Sequence, residues 1–409
     1  MRRQLLPGAI GLAAMLALGV MAAFAASSSA TMQPGDTLRL KCNGARLTTS
    51  RVSNSEIVAT CGTASAPTNT PVPATPTRTT APATNTPKPA TATPTNTTAP
   101  ATATATPTRT STPTATPTTP GGSVTAPVIG GCQVFPQNNA WNQDISAAPL
   151  AANSANYMAK IASLGGNQKL HADFGSDPTY GIPFVVVPST QAGVPITFTA
   201  YGDESDPGPY PIPANAPVEG GANSDGDRHV LVLQQGTCKL YEMYRAFKTS
   251  TGWSADSGAI WNLTTGALRP AGWTSADAAG LPILPGLVRY DEVKSGKITH
   301  ALRFTVSKTQ QGYILPATHW ASSSSDANLL PMGARLRLKA SFDTSGYTGD
   351  AKVILEALKK YGMIVADNGS NYFITGATDS RWNDTDLNQL KNVPGSAFEV
   401  VNMGSIVKP

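Results

Sequence analysis

From about Gly62 to Gly122 the chain is built almost entirely of Thr, Pro and Ala, and this tract limits what the sequence can fold into more than any other feature. No acidic residue occurs between Glu56 and Asp144, and no aromatic one between Phe24 and Phe135. With so little apolar surface to bury, such a stretch cannot offset the entropy lost on ordering its backbone. Proline at this density favours extended polyproline II at ~3.1 Å per residue, so ~60 residues make a disordered stalk reaching up to roughly 190 Å. Its threonines are candidates for O-glycosylation. A linker over residues 63–123 thus divides the chain. All six Trp, all eleven Tyr and all four His fall after residue 130, which assigns the packed core and any chemistry to residues 124–409.

The formal charge of +5 is misleading for the same reason. Up to residue 123 there are nine Lys or Arg and two acids, whereas the remainder holds 21 bases and 23 acids, near −2. A nucleic-acid surface needs clustered Lys and Arg on the folded part, so DNA or RNA binding is disfavoured. Only 13% of residues are charged, and after the N-terminus no apolar run reaches the ~18 residues of a spanning helix. A multi-pass membrane protein is excluded.

The N-terminus reads Met1-Arg2-Arg3, then an apolar stretch through Val20, then Ala23-Phe24-Ala25 as a small-x-small cleavage site. Residues 1–25 are expected to be a secretory signal peptide, directing the protein to the extracellular space or cell surface. Its four cysteines are then expected to form disulfides. Pairing Cys42 with Cys61 and Cys132 with Cys238 avoids bridging across the linker. Residues 31–62, with alternation at Leu38, Leu40 and Cys42 and a second run Ile57 to Cys61, read as a small β segment. At ~30 residues it cannot bury a core alone and needs its disulfide or docking.

In residues 124–409 the apolar signal is short and alternating: Phe184 to Val187, Ile196 to Phe198, His229 to Leu233, Cys238 to Phe247, Ile298 to Val306, Arg335 to Lys339, Met363 to Ala366, Tyr372 to Thr375 and Phe398 to Val401. Short strands bounded by Gly, Pro, Asn and Ser predict a mainly β domain, a β-sandwich of jelly-roll or concanavalin-like type. Helices are expected at Tyr157 to Leu164 and at Gly349 to Tyr361, where Val353, Ile354, Ala357, Leu358 and Tyr361 form one apolar stripe and Gly362 supplies the stop. Asn368-Gly369 between two apolar runs predicts a hairpin, giving a helix–hairpin cap.

Phosphate-loop, dinucleotide, HExxH, CxxC and GxSxG motifs are all absent. Three constellations remain. If Gln234 to Thr237 form a four-residue turn, Leu233 opposes Cys238, His229 faces Glu242, and Asp227 faces Tyr244. A carboxylate beside an imidazole orients its tautomer and raises its pKa, which suits acid–base work or else a structural polar pair. The second is an acid-rich loop, Asp203, Glu204, Asp206, Glu219, Asp225 and Asp227, in which Asn223 to Asp227 offers oxygen ligands at alternate positions. Asp225 and Asp227 are candidate calcium ligands there, although the twelve-residue EF-hand pattern is lacking. The third runs from Trp253 to Trp320. Trp253, Trp273, Tyr290 and Trp320, with Asp277 in the long irregular loop from Gly272 to Pro282, suit a sugar ring, whose apolar face stacks while its hydroxyls bond. His229, His300 and His319 would make a metal site only if they converge.

The runs Gly226 to Val232, Trp273 to Ile283, His300 to Phe304 and Gly362 to Gly369 together resemble a family of secreted bacterial β-rich proteins of unassigned function. The resemblance covers essentially residues 132–405 and implies a single secreted domain, with no activity or site carried over.

The expectation is therefore a monomeric, secreted polysaccharide-active domain on a stalk, a glycoside hydrolase or a polysaccharide lyase, with a non-catalytic glycan-binding or cell-surface module as the alternative. Hydrolysis would draw on Glu242 with Asp227 or Glu292, and elimination on His229, Arg289 and Tyr290. No cofactor is required by either route, and calcium is the ion that Asp225 and Asp227 suggest.

Overall fold

The computed structural model describes residues 126–409 and, before them, only the three short strands β1 (Ser27–Thr31), β2 (Leu47–Arg51) and β3 (Glu56–Cys61). These three form an antiparallel sheet in the order β1-β3-β2. They belong to a unit separate from that of residues 126–409. The expected signal peptide, the Cys42–Cys61 bond and the linker lie outside the described residues.

Strands β4 (Val128–Ile129) and β5 (Cys132–Gln133) pair at the start of the large unit, followed by helix α1 (Ser154–Ser163) and strands β6 (His171–Asp173), β7 (Phe184–Val187) and β8 (Ile196–Phe198). Next come β9 (Val230–Gln234), β10 (Lys239–Tyr244), β11 (Phe247–Lys248), β12 (Trp253–Ala255) and β13 (Ser257–Asn262). The second half holds α2 (Tyr290–Lys294), β14 (Leu302–Val306), β15 (Thr309–Tyr313), β16 (Leu330–Met332) and β17 (Arg335–Leu338). It ends with α3 (Gly349–Lys360), β18 (Met363–Asn368), β19 (Phe373–Thr375), α4 (Asp384–Asn388) and β20 (Phe398–Val401). Among the described residues strand outweighs helix, 27% against 17%, and no sheet closes on itself, so this part of the protein is mainly β and open.

A four-stranded sheet, β13-β10-β9-β7, is the middle layer. The period-two alternation of its strands separates two cores. Leu231, Leu233, Leu240, Ala259 and Trp261 face one core, shared with Leu302, Phe304, Leu336, Met363, Ile374 and Phe398 of the six-stranded sheet β20-β17-β18-β14-β19-β6. Val230, Val232, Tyr241 and Met243 face the other, shared with Trp253 and Ala255 of the small sheet β11-β12-β8. Because both faces are covered, all five residues of β9 are buried. Five pairs, β7–β9, β8–β12, β14–β18, β15–β16 and β6–β19, are parallel, whereas jelly-roll and concanavalin-like sandwiches are built from antiparallel hairpins.

The expected cap is replaced by a split arrangement. Strands β18 and β19 do not pair with each other, because β14 inserts between them, parallel to β18 and antiparallel to β19. The Asn368-Gly369 turn therefore carries the chain around β14, and the Gly369 and Tyr372 amides donate to Val306 and Thr305 of that strand. Helix α3 buries Ala351, Ile354, Leu355, Ala357 and Leu358 in the larger core. Cys132 and Cys238 are bonded, with Cα atoms 5.4 Å apart, tying β5 to the β9–β10 turn.

Candidate functional site

The β9–β10 register differs from expectation by two residues. Gln234 pairs with Lys239, which places Leu231, not His229, opposite Glu242. The turn spans residues 235–238 and Cys238 adopts a positive φ of 49°, so β9 runs one residue further and β10 begins one residue later than the turn signal suggests. A shift of two leaves each side chain on its face but changes every partner. His229 and Tyr244 now lie together, ring centroids 5.6 Å apart.

Glu242 is completely buried and accepts hydrogen bonds from the backbone amides of Ile283 and Leu284 and from the Trp261 indole, at 2.8–3.0 Å. Burial raises its pKa to about 7. This carboxylate holds the end of the long 272–284 loop. Other elements hold the rest of it. Arg269 Nε donates to the Thr274 carbonyl, Ser257 Oγ to Ser275, His229 Nε2 to Ala276 and His319 Nδ1 to Ala278. Arg303 clasps the Asp277 carboxylate with Nε and Nη2 at 3.3 and 2.8 Å, while its Nη1 donates to Thr375 Oγ1. A buried irregular segment carries unpaired peptide groups, and here charged side chains satisfy them one by one. At Gly280, φ of 67° and the closeness of Trp273 and Thr318 leave no space for a Cβ.

This pinned loop forms one wall of a cavity of about 320 Å³. Its walls are Thr274 to Ala278, Tyr201, Asp227, Tyr244, Ser257, His319, Ala321, Asp367 and Asn368. Asp227 is exposed, Asp277 is buried, and Asp367 is half-buried. Asp367 arrives there through a bulge, since one extra residue in β18 brings it opposite Thr305, on the face of β14 that carries Arg303. No Lys or Arg lines the cavity.

Beneath the cavity, Glu219, Asp277, Asp367 and Asp173 are carboxylates within range of Arg303, the His229 ring lies near the same guanidinium, and His171 lies near Asp173. Burial raises Asp367 to about 7, and the neighbouring Asp277 adds to the shift against the pull of Arg303. Asp173, at the end of β6 opposite Thr375, is also raised, mainly by burial. Burial works against both members of the His229–Glu219 pair, yet their mutual attraction prevails, lifting His229 to about 9 and lowering Glu219.

Of the expected catalytic residues, only Asp227 lines this cavity. His229 and Glu242 lie behind it, holding the loop. Arg289 and Glu292 form a separate buried group with His300, in which Arg289 Nη2 lies 2.8 Å from Glu292 Oε1 and 2.7 Å from His300 Nε2. Arg289 also donates to the Leu284 and Leu287 carbonyls, so this group ties α2 to the preceding turn. Of the expected sugar contacts, Asp277 alone lines the cavity. Trp253 is buried in the smaller core, Trp273 sits against the Arg269 guanidinium, Trp320 stacks on Tyr313, and Tyr290 packs edge-on against Trp382 beneath Arg381. His229, His300 and His319 bond to different partners, and among the described residues no three His, Cys, Asp or Glu side chains are placed to hold a metal. Near Asp225 and Asp227, the carbonyls of Ala222 and Ser224 accept from Arg228 Nη1.

Asp367, Glu219 and Arg303 complete the site without having been singled out together. The available signal was a carboxylate ending an otherwise apolar strand, Met363 to Ala366, just before Asn-Gly. No family model, curated protein or solved structure matches this chain. The site is therefore defined by its own geometry: an acid-lined cavity in a layered β scaffold.

Proposed function

We propose that the protein is secreted and acts on polysaccharide, and that the acid-lined cavity is a glycoside-hydrolase site. The observation that carries this reading is Asp367, a cavity carboxyl whose pKa of about 7 keeps it partly protonated at neutral pH, in the same cavity as the exposed carboxylate of Asp227. Glycoside hydrolysis needs this division, one carboxyl to protonate the leaving oxygen and one carboxylate to activate water or attack the sugar. Asp367 is assigned the acid role and Asp227 the base or nucleophile role. Asp277, neutralised by Arg303, supports the floor. Tyr201, Tyr244 and the backbone of the 274–278 segment supply stacking faces and hydrogen bonds.

Hydrolysis is preferred over elimination on charge. A lyase must neutralise a uronate carboxylate, and no Lys or Arg stands among the described residues lining the cavity to do so. The expected substrate is a neutral glycan. A panel of neutral and uronate polysaccharides should give new reducing ends from a neutral member, and Asp367→Asn should cut turnover by ~10²–10⁴. Release of unsaturated uronate would overturn the hydrolase assignment. Saturable binding with no cleavage would leave a glycan-binding module in its place.

A further inference from the structure

We propose that His229 is a positioning residue of this site, held as an imidazolium that donates from both ring nitrogens and thereby fixes the loop carrying Asp277. The proposal rests on the cavity reading above, but its central claim concerns a proton that can be observed without a substrate. Nδ1 lies 2.6 Å from Glu219 Oε2, and Nε2 lies 3.0 Å from the Ala276 carbonyl oxygen. Both partners are acceptors. Either neutral tautomer would set a ring lone pair against an oxygen lone pair at hydrogen-bond distance, whereas the doubly protonated ring satisfies both.

The surroundings hold the proton on the ring. Glu219 also accepts from the His229 backbone amide at 3.2 Å, and its own amide donates to the His229 carbonyl, so the two residues are fastened by main chain as well as side chain. Charged and titratable groups face the ring from each element packed on it. Asp227 lies two residues before it in the chain, Tyr244 lies across the hairpin, Asp277 is in the pinned loop, and Arg303 and Asp367 are on β14 and β18. Arg303 alone opposes the positive charge among these, and it is bonded to Asp277. The other links to the 274–278 carbonyls come from Arg269, Ser257 and His319. Two of these, an arginine and a hydroxyl, donate at any ordinary pH. The link to Ala276, next to Asp277, requires the second imidazole proton. Loss of that proton in the alkaline range should loosen the loop where it enters the cavity.

The test uses the whole protein with ¹⁵N-labelled histidine. Both nitrogens of His229 should read as protonated from pH 5 to about 9. In Glu219→Gln the ring keeps its buried site but loses its counter-charge, so its pKa should fall below the ordinary histidine value. In that variant the new side-chain amide donates to Nδ1, and a neutral ring keeps its Nε2 proton on Ala276. The faster amide exchange over residues 274–281 and the alkaline limb of kcat/KM on a cleaved glycan, both expected in the parent as pH passes about 9 with α3 and β14 unchanged, should therefore be absent from it. His229→Gln, which keeps one donor for Ala276, should remove that limb and lower the rate less than tenfold at pH 7. A ring with one protonated nitrogen at pH 7, a proton residing on Glu219, or uniform loosening of the whole molecule in Glu219→Gln would overturn the proposal. If no glycan is cleaved, the NMR and exchange results still decide it, and only the hydrolase reading fails.

Discussion

Asp367 is the acid of the proposed reaction, and it also burdens the fold. Its pKa is raised in the folded state, so folding favours the protonated form, and the stability that form contributes is lost as pH rises from the ordinary Asp range through about 7. Asp367→Asn removes this cost while keeping shape. The variant should match the parent near pH 4 and exceed it at pH 8 by ~1–3 kcal/mol, read from thermal melts at the two pH values. Equal stability at both would mean that the carboxyl is not desolvated. Glu242 shares the burial-raised pKa but differs in meeting three donors with its two oxygens. Glu242→Gln turns one acceptor oxygen into an NH₂ group facing the Ile283, Leu284 and Trp261 donors, and should lose ~1–3 kcal/mol in urea unfolding. A variant as stable as the parent would deny Glu242 its place as the loop's anchor.

Among the elements, the two that matter most to the site are an irregular loop and a strand with an extra residue. The 272–284 loop can stay buried because His229, just before β9, Glu242 of β10 and Ser257 of β13 meet its peptide groups while Arg303 of β14 holds its Asp277 carboxylate, and the bulge in β18 turns Asp367 toward Arg303. The hairpin that carries His229 and Glu242 is in turn tied to β5 by Cys132–Cys238, which closes a loop with a sequence separation of 106. Replacing both cysteines by Ala should destabilise the unit by ~2–5 kcal/mol, and mass mapping of a non-reduced digest should recover the 132–238 pair in the parent. A digest linking Cys132 to Cys42 or Cys61 would contradict this.

At the scale of the whole molecule, both apolar cores and every cavity residue lie within residues 126–409. Removal of residues 1–123 should therefore leave the melting temperature of the large unit and the Asp367-dependent chemistry unchanged. A fall of more than a few degrees would show that the first unit or the tract contributes packing. The sequence by itself determined what local pattern controls. Phe184–Val187, Ile196–Phe198 and Phe398–Val401 are strands with the bounds their alternation predicts, α3 follows its apolar stripe, and Cys132 finds Cys238. Tertiary structure decided the partners. The Asn-Gly turn at 368–369 has the chemistry of a hairpin, yet β14, some sixty residues earlier in the chain, takes the place between its two arms. Glu219 rather than Glu242 meets His229, and Asp367 joins Asp277 and Arg303 across two strands and a loop. A parallel pairing leaves no short-range turn to mark it, and a two-residue change of register preserves the alternation that a sequence displays while exchanging every neighbour that chemistry depends on.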